Sequence, residues 1–243
     1  MFQTAPPPPS DLEFPPLEQS LARTIREHRQ TDPTAGIRTG SKLFRDKLIG
    51  LLNTDPNGVR AELLLAVPAM LAGFACQAAT WEALVVGQGR PLTSVFAVFG
   101  TDDGGQYPFS NAMNQLLLEG RSSVWAVVAT AAQSMTDSPL LDVEEIAAHV
   151  ARSVGTPDFA QPRLPPSNSF GNDDAMSIIS ATWPAFLPLL GLCCEAPREW
   201  PLLFAAALPE AMKMTSHLIE PASAASIIME SAVPMAHLPM RPI

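Results

Sequence analysis

The chain has 243 residues and a formal net charge of −9, and only 16% of its residues are charged. Because globular proteins carry about 25% charged residues, this chain has ample material for a core and little charge for its surface. Its acidity argues against nucleic acid as a partner, and its apolar content excludes disorder of the whole. The length suits one domain, which we predict over residues 17–243 after a proline-rich arm at residues 1–16.

The first helices are predicted on both sides of a glycine-containing break. An apolar stripe at helical spacing runs through Ile25, with His28 on or beside it. Gly36 and Gly40 are expected to interrupt the chain, so that a second helix begins after Ser41.

The stretch from Glu62 to Cys76 carries no charge after its first residue. A helix that is apolar all round lies in a protein core or in a membrane. The uncharged runs over residues 63–81 and 175–194 are both long enough to span a bilayer, but both contain prolines and small polar residues. Neither has a dense Lys/Arg cluster at just one end, so we expect a soluble protein, with membrane insertion as the alternative. The side chains predicted to be almost inaccessible are Leu64, Leu65, Met70, Leu71 and Phe74.

Capping residues and prolines predict several helix boundaries. Asp55 is an expected N-cap with Pro56 at the first helical position. Pro68 is expected to kink or split the central helix. Asp142 begins a pattern that resembles a capping box with Glu145.

A β-hairpin is predicted near residues 93–109, inserted into the helical domain. Val95–Phe99 is a short β-branched and aromatic run, and it is followed by an Asp- and Gly-rich turn and then by Gln106–Phe109. Asp and Gly between two apolar runs favour antiparallel pairing. Ser110 is the expected N-cap of the next helix, Asn111–Glu119.

Polar residues around this hairpin form the candidate binding site: Asp102, Asp103, Tyr107, Asn111 and Asn114. The two asparagines follow a helix N-terminus, where an anion would be favoured. The neighbouring acidic pair argues instead for a cation or a hydroxyl-bearing ligand. The alternative is that these residues only form the turn and cap the helix.

Sequence motifs of catalysis and metal binding are absent: there is no P-loop, dinucleotide fingerprint, HExxH or GxSxG. The three cysteines have no CxxC or histidine spacing typical of zinc, so we predict no metal site and no cofactor. Adjacent Cys193 and Cys194 are expected to be buried free thiols in a reducing compartment. Because residues 1–10 lack the pattern of a secretory signal, we expect a cytoplasmic protein.

The C-terminal third is predicted to be helical after a long connection over residues 156–174, where the domain could be subdivided. Helices are expected over residues 174–194, 197–217 and 221–232. Apolar side chains point around most of the first of these: Ile178, Ile179, Trp183, Phe186, Leu187, Leu189 and Leu190. Further apolar residues follow: Phe204, Leu208, Ile227, Ile228 and Met229.

This apolar surplus predicts a homo-oligomer, most simply a two-fold dimer. The argument assumes that a single domain has one central position for an all-apolar helix, which residues 63–76 already occupy. The fold class is therefore mainly α, a compact multi-helix domain around a buried apolar helix. The function favoured is non-enzymatic, through self-association or partner binding. The alternative is a small-molecule-binding protein or enzyme with its site near the hairpin-to-helix turn.

Overall fold

The computed structural model describes residues 15–53, 59–102, 104–163 and 175–239. The fold is mainly helical with one two-stranded sheet, as predicted. The helices are α1 (Pro16–Arg29), α2 (Ala35–Leu52), α3 (Ala61–Thr80), α4 (Leu92–Val95), α5 (Asn111–Asn114), α6 (Val124–Gln133), α7 (Val143–Ser153), α8 (Ala175–Cys193), α9 (Trp200–Ala205), α10 (Leu208–Thr215) and α11 (Pro221–Ala236). The strands are β1 (Ala97–Gly100) and β2 (Gln106–Phe109). The π-helical turns Trp81–Val86 and Gln115–Glu119 continue α3 and α5, and the 3₁₀ turn Pro197–Glu199 leads into α9.

Helix α3 is the centre of the core. Leu65, Met70 and Leu71 are fully buried, and the helix continues through Pro68 without being split. The prediction of full burial is wrong for Leu64 and Phe74, which are only half-buried. Leu64 faces a shallow groove that α3 forms with α2 and α10. Phe74 makes an edge contact with Trp183 of α8, which is itself half-buried.

Helix α11 is buried almost as completely as α3 and packs along it. Gly73 makes this possible, because a Cβ at residue 73 would overlap the carbonyl group of Ala232. The assumption of a single central helix is therefore wrong. The C-terminal apolar residues are covered within the chain, since these side chains are all nearly inaccessible: Phe204, Leu208, Ile227, Ile228 and Met229.

Helix α2 begins at Ala35, so the predicted break at its two glycines is wrong. Gly36 lies where a Cβ would overlap the Cys193 carbonyl oxygen and the Arg29 guanidinium, and a Cβ on Gly40 would clash with the Leu203 side chain. These glycines therefore allow close helix packing.

His28 of α1 is exposed and off the buried stripe, which continues instead to the half-buried Arg29.

The hairpin is confirmed with a later start. Residues 97–100 pair antiparallel with residues 109–106, and Val95 ends the short helix α4 instead of joining the strand. Ser110 has extended dihedrals at the N-cap position of α5, but its side chain makes no capping bond.

Other predicted boundaries have mixed outcomes. The Asp142 side chain does cap α7, accepting from the backbone N–H groups of Glu144 and Glu145 at 3.0 and 3.3 Å. The predicted cap at Asp55 and Pro56 lies outside the described residues. The single helix predicted over 197–217 is divided, because Pro209 cannot donate a helical hydrogen bond at the start of α10. Helix α11 extends to Ala236, beyond its predicted end.

Candidate association surface

Helix α8 packs on α2, α3 and α1 through one narrow stripe of buried side chains. Its buried side chains are Ile179, Phe186, Leu190 and Cys193. The Phe186 ring makes an edge contact with Phe44 of α2 at 4.7 Å between centroids. Lys47 of α2 donates a hydrogen bond to the Ala185 carbonyl at 2.7 Å, with its ammonium 5.2 Å from the Phe186 ring centroid.

The C-terminus of α8 is fixed by Arg29, whose side chain is only 8% exposed. Arg29 donates a 2.6 Å hydrogen bond to the Cys193 carbonyl and pairs with Glu199 at 2.9 Å and Glu195 at 3.2 Å. The hydrogen bond that Arg29 donates to Glu199 raises the pKa of Arg29, so the guanidinium stays charged. A cation here also complements the negative end of the helix dipole. This clamp makes α8 a fixed part of the fold.

The outer face of α8 contains no charge. None of its nineteen residues is Asp, Glu, Lys or Arg. Its solvent-facing positions are small residues and prolines: Ser177, Ser180, Ala181, Pro184 and Pro188. Half-buried apolar side chains flank them, among them Ile178, Trp183 and Leu187. Within the described part of the chain, this uncharged face stays largely uncovered, on a protein with little charge elsewhere.

Among the residues that the structure describes, two helices are long and apolar enough to cross a membrane, judged by length and composition alone. For Ala61–Val86, 83% of the apolar window is buried inside the protein, as in the core helix of a soluble protein. For Met176–Cys193, which is α8, only 22% is buried. The two helices therefore have similar composition and opposite surroundings.

The predicted polar site is spread along the hairpin. Asp102 is exposed in the turn, Tyr107 is buried in β2, and Asn111 and Asn114 begin and end α5 beyond the other end of the strands. The β ladder thus separates Asp102 from Asn111 by roughly 13 Å or more along the strand. Asp103 lies outside the described residues. A ligand for this set stays a prediction.

The base of the hairpin is anchored to the core by aromatic contacts and one histidine. Tyr107 packs edge-on against Phe159 at 4.9 Å, and Phe109 stacks on the His237 ring at 4.3 Å. His237 Nδ1 lies 2.9 Å from the Pro108 carbonyl oxygen, so the neutral ring donates from Nδ1. Burial lowers the pKa of His237.

The connection after α7 is held by a second ion-pair cluster, in which only Glu230 is buried. Arg163 forms a two-pronged pair with Glu145 on α7 and donates from Nε to Glu230 on α11 at 3.0 Å. The hydrogen bond from Arg163 lowers the pKa of Glu145 and raises that of the arginine itself. The pair lets the charged Glu230 lie in an otherwise apolar buried helix.

The described residues offer no evident reactive group. Burial raises the pKa of all three thiols, that of Cys193 to about 12, so they remain protonated and poorly nucleophilic. Within the described ranges, no group of three or more His, Cys, Asp or Glu residues could hold a metal ion. The groove beside Leu64 is lined mainly by apolar side chains, with Arg45 among its lining residues.

Sequence patterns did not indicate the residues that hold α8, the hairpin and the connection after α7 in place: Arg29, Arg163, Glu230 and His237. Each acts through a partner 67 or more residues away, apart from the contact of Arg163 with Glu145. The one available signal was Glu230, a lone charge in an apolar run that needs a buried partner.

The chain matches no known protein family, no curated protein and no solved structure.

Proposed function

We propose that this protein acts by association, as a homodimer that covers the outer face of α8, and that it has no catalytic role. The observation that carries the proposal is the uncharged, largely uncovered surface of α8. Extended apolar patches on soluble proteins usually mark interaction sites. A second copy fits this surface because a two-fold axis would bring two identical uncharged faces together without opposing the like charges of an acidic protein.

The α8 surface suits a protein partner better than lipid. Pro184 and Pro188 lack backbone N–H groups, so the carbonyls of Ser180 and Pro184 have no helical donor. Water or a partner's side chains can satisfy these carbonyls, whereas hydrocarbon cannot. We therefore propose a soluble, cytoplasmic protein, and the three buried free thiols support a reducing compartment.

Light scattering coupled to size exclusion, at micromolar concentration, tests the dimer. The expected mass is twice the 26.0 kDa of the chain. Ala181→Glu places one charge on the exposed face of α8 and should return the protein to 26.0 kDa with unchanged helix content. Ala151→Glu adds the same charge to an exposed site on α7 and should leave the dimer intact.

A wild-type mass near 26.0 kDa that persists on concentration would overturn the proposal. Flotation with neutral lipid vesicles tests whether lipid covers the α8 surface instead. If the wild-type protein floats with the vesicles and the Ala181→Glu variant does not, lipid is the occupant and the dimer is rejected.

A further inference from the structure

The hairpin has two outer edges, and only the β2 edge carries a proline. Thr101 N–H donates to the Gly105 carbonyl at 3.0 Å, so residues 101 and 105 form a hydrogen-bonded pair. Because bonded and non-bonded pairs alternate in an antiparallel ladder, Phe99 pairs inward with Tyr107, while Val98 and Gly100 direct their N–H and carbonyl groups outward. On β2 the outward residues are Gln106 and Pro108.

Pro108 blocks strand addition at its own position on β2 in two ways. It has no N–H to offer, and its carbonyl is already occupied by His237 at 2.9 Å. On β1 no hydrogen bond reaches the outward groups of Val98 or Gly100 from any described residue. All four residues of β1 are exposed, and none is charged or proline. Val98 is 37% and Phe99 57% exposed.

This open edge is held rigidly. Phe99 makes an edge contact with Phe109 at 5.3 Å, and Phe109 stacks on His237. A Cβ on Gly155 would overlap the Thr101 side chain, so the chain after α7 lies directly against the hairpin. A fixed strand with free backbone groups is a template for adding another strand.

We propose that β1 pairs antiparallel with β1 of a second copy, about a two-fold axis at Phe99. In this register Val98 lies opposite Gly100 of the second copy, and the outward N–H and carbonyl groups of both satisfy each other. Phe99 falls opposite Phe99 of the second copy at a non-hydrogen-bonded position, where side chains are closest and aromatic pairs are favourable. The hairpins then form one four-stranded sheet with Pro108 near both outer edges.

Charge selects this arrangement over a parallel one. Asp102 lies two residues after the end of β1, so an in-register parallel pairing would set the two Asp102 side chains beside each other. In the antiparallel register they lie six residues apart, or roughly 20 Å, well beyond the screening length at physiological salt. The uncharged strand itself brings no like charges together.

The contact is small, so we expect it to be weak and concentration-dependent when it acts alone. It is independent of the α8 interface. If both operate, dimers formed through α8 join into larger assemblies at high concentration.

Disulfide trapping tests the register. Phe99→Cys places two thiols opposite each other at about 4.5 Å between Cα atoms, within the range that a disulfide spans. Val98→Cys leaves its two thiols roughly 8 Å apart by Cα, which is too far. At about 100 μM under mild oxidation, Phe99→Cys should form a covalent dimer at least ten times faster than Val98→Cys. The native thiols do not interfere, because all three are buried.

A second pair of variants keeps the aromatic side chain. A mixture of Val98→Cys and Gly100→Cys proteins should cross-link to each other faster than either does alone, and residue 100 has open space for the new side chain. Adding Val98→Pro to Phe99→Cys removes only an outward N–H and should slow cross-linking at least ten-fold. Val98→Ala, which keeps that N–H, should leave the rate unchanged.

Equal cross-linking rates for Phe99→Cys and Val98→Cys, or no effect of Val98→Pro on the rate, would overturn the proposal. The edge of β1 would then bind a different partner or no partner. The same rates measured with Ala181→Glu present separate the two surfaces. Register-specific cross-linking that survives this change supports β1 pairing whatever the fate of the α8 dimer.

Discussion

Helices α3 and α8 are alike in sequence and opposite in environment. Their apolar windows have mean hydropathies of 1.7 and 1.6, yet 83% of one and 22% of the other is buried. Both contain proline, and neither carries charge along its central turns. Composition therefore identifies helices that must avoid water, but it does not say whether the same chain covers them.

The difference lies in the neighbours. Helix α3 is enclosed because α11 approaches it at Gly73, where the absence of a side chain brings the two backbones together. Helix α8 packs on α2 through a narrow stripe around Phe186 and is fixed at its end by Arg29. Its position in the fold is fixed, but no other described element covers its outer side.

The largest expected effect is a core truncation in α3 set against the matched truncation in α8. Leu71→Ala should lower the free energy of unfolding by about 2–5 kcal/mol, because it removes buried methyl groups and leaves a cavity. Leu187→Ala, at a half-buried site, should cost about 1 kcal/mol in dilute protein. Denaturant titration at fixed protein concentration measures both.

Concentration sharpens this comparison. If a second copy covers α8, the wild-type protein gains stability as its concentration rises, and Leu187→Ala loses part of that gain. If Leu71→Ala lowered the free energy of unfolding by less than about 1 kcal/mol, its effect would be that of a surface substitution. Such a result would contradict the central position of α3.

The next effect concerns the approach of α3 and α11. Gly73→Ala should destabilise the protein by about 1–3 kcal/mol, because the new methyl group overlaps the Ala232 carbonyl and forces two backbones apart. The control is Gly50→Ala on the exposed side of α2, where nothing lies within 4 Å of the new Cβ. There the change should stabilise the helix by about 0.5–1 kcal/mol. Thermal melts that order the two variants the other way would reject the close packing.

Local signals predicted part of this fold well. The hairpin followed from an Asp- and Gly-rich turn between apolar runs, and the α7 cap from Asp142, because both depend on residues close in sequence. The glycines of α2 were misinterpreted because their reason is distant: Gly36 makes room for Arg29 and for the Cys193 carbonyl.

Burial of α11 was unpredictable for a similar reason. Its apolar residues Ile227, Ile228 and Met229 were assigned to a subunit interface, and the arginine that neutralises Glu230 of this helix lies 67 residues earlier. For the polar site, the sequence brought Asp102 and Asn111 close along the chain, whereas the β ladder holds them at opposite ends of the hairpin.

The smallest expected effect is a pH dependence of the free energy of unfolding that arises at the buried helix α11 and not at α8. Helix α8 carries no acidic or basic side chain, whereas α11 ends at buried His237, whose pKa is lowered by burial. His237 therefore binds a proton more readily in the unfolded chain than in the folded chain. The free energy of unfolding must then fall as the pH is lowered through the ordinary histidine range near 6.5. For one proton the slope is at most about 1.4 kcal/mol per pH unit.

His237→Asn separates this proton from the others. Asparagine can still donate to the Pro108 carbonyl from the position of Nδ1, but it does not titrate. Denaturant titrations between pH 7.5 and 5.5 should show a smaller loss of stability in the variant than in the wild type. The lowered pKa of Glu145 acts at more acidic pH, and the raised pKa of Glu82 has the opposite sign, so neither imitates the expected difference. Parallel curves for the two proteins would mean that His237 is not held neutral by the core, and that the hairpin is fixed to α11 by its aromatic stack alone.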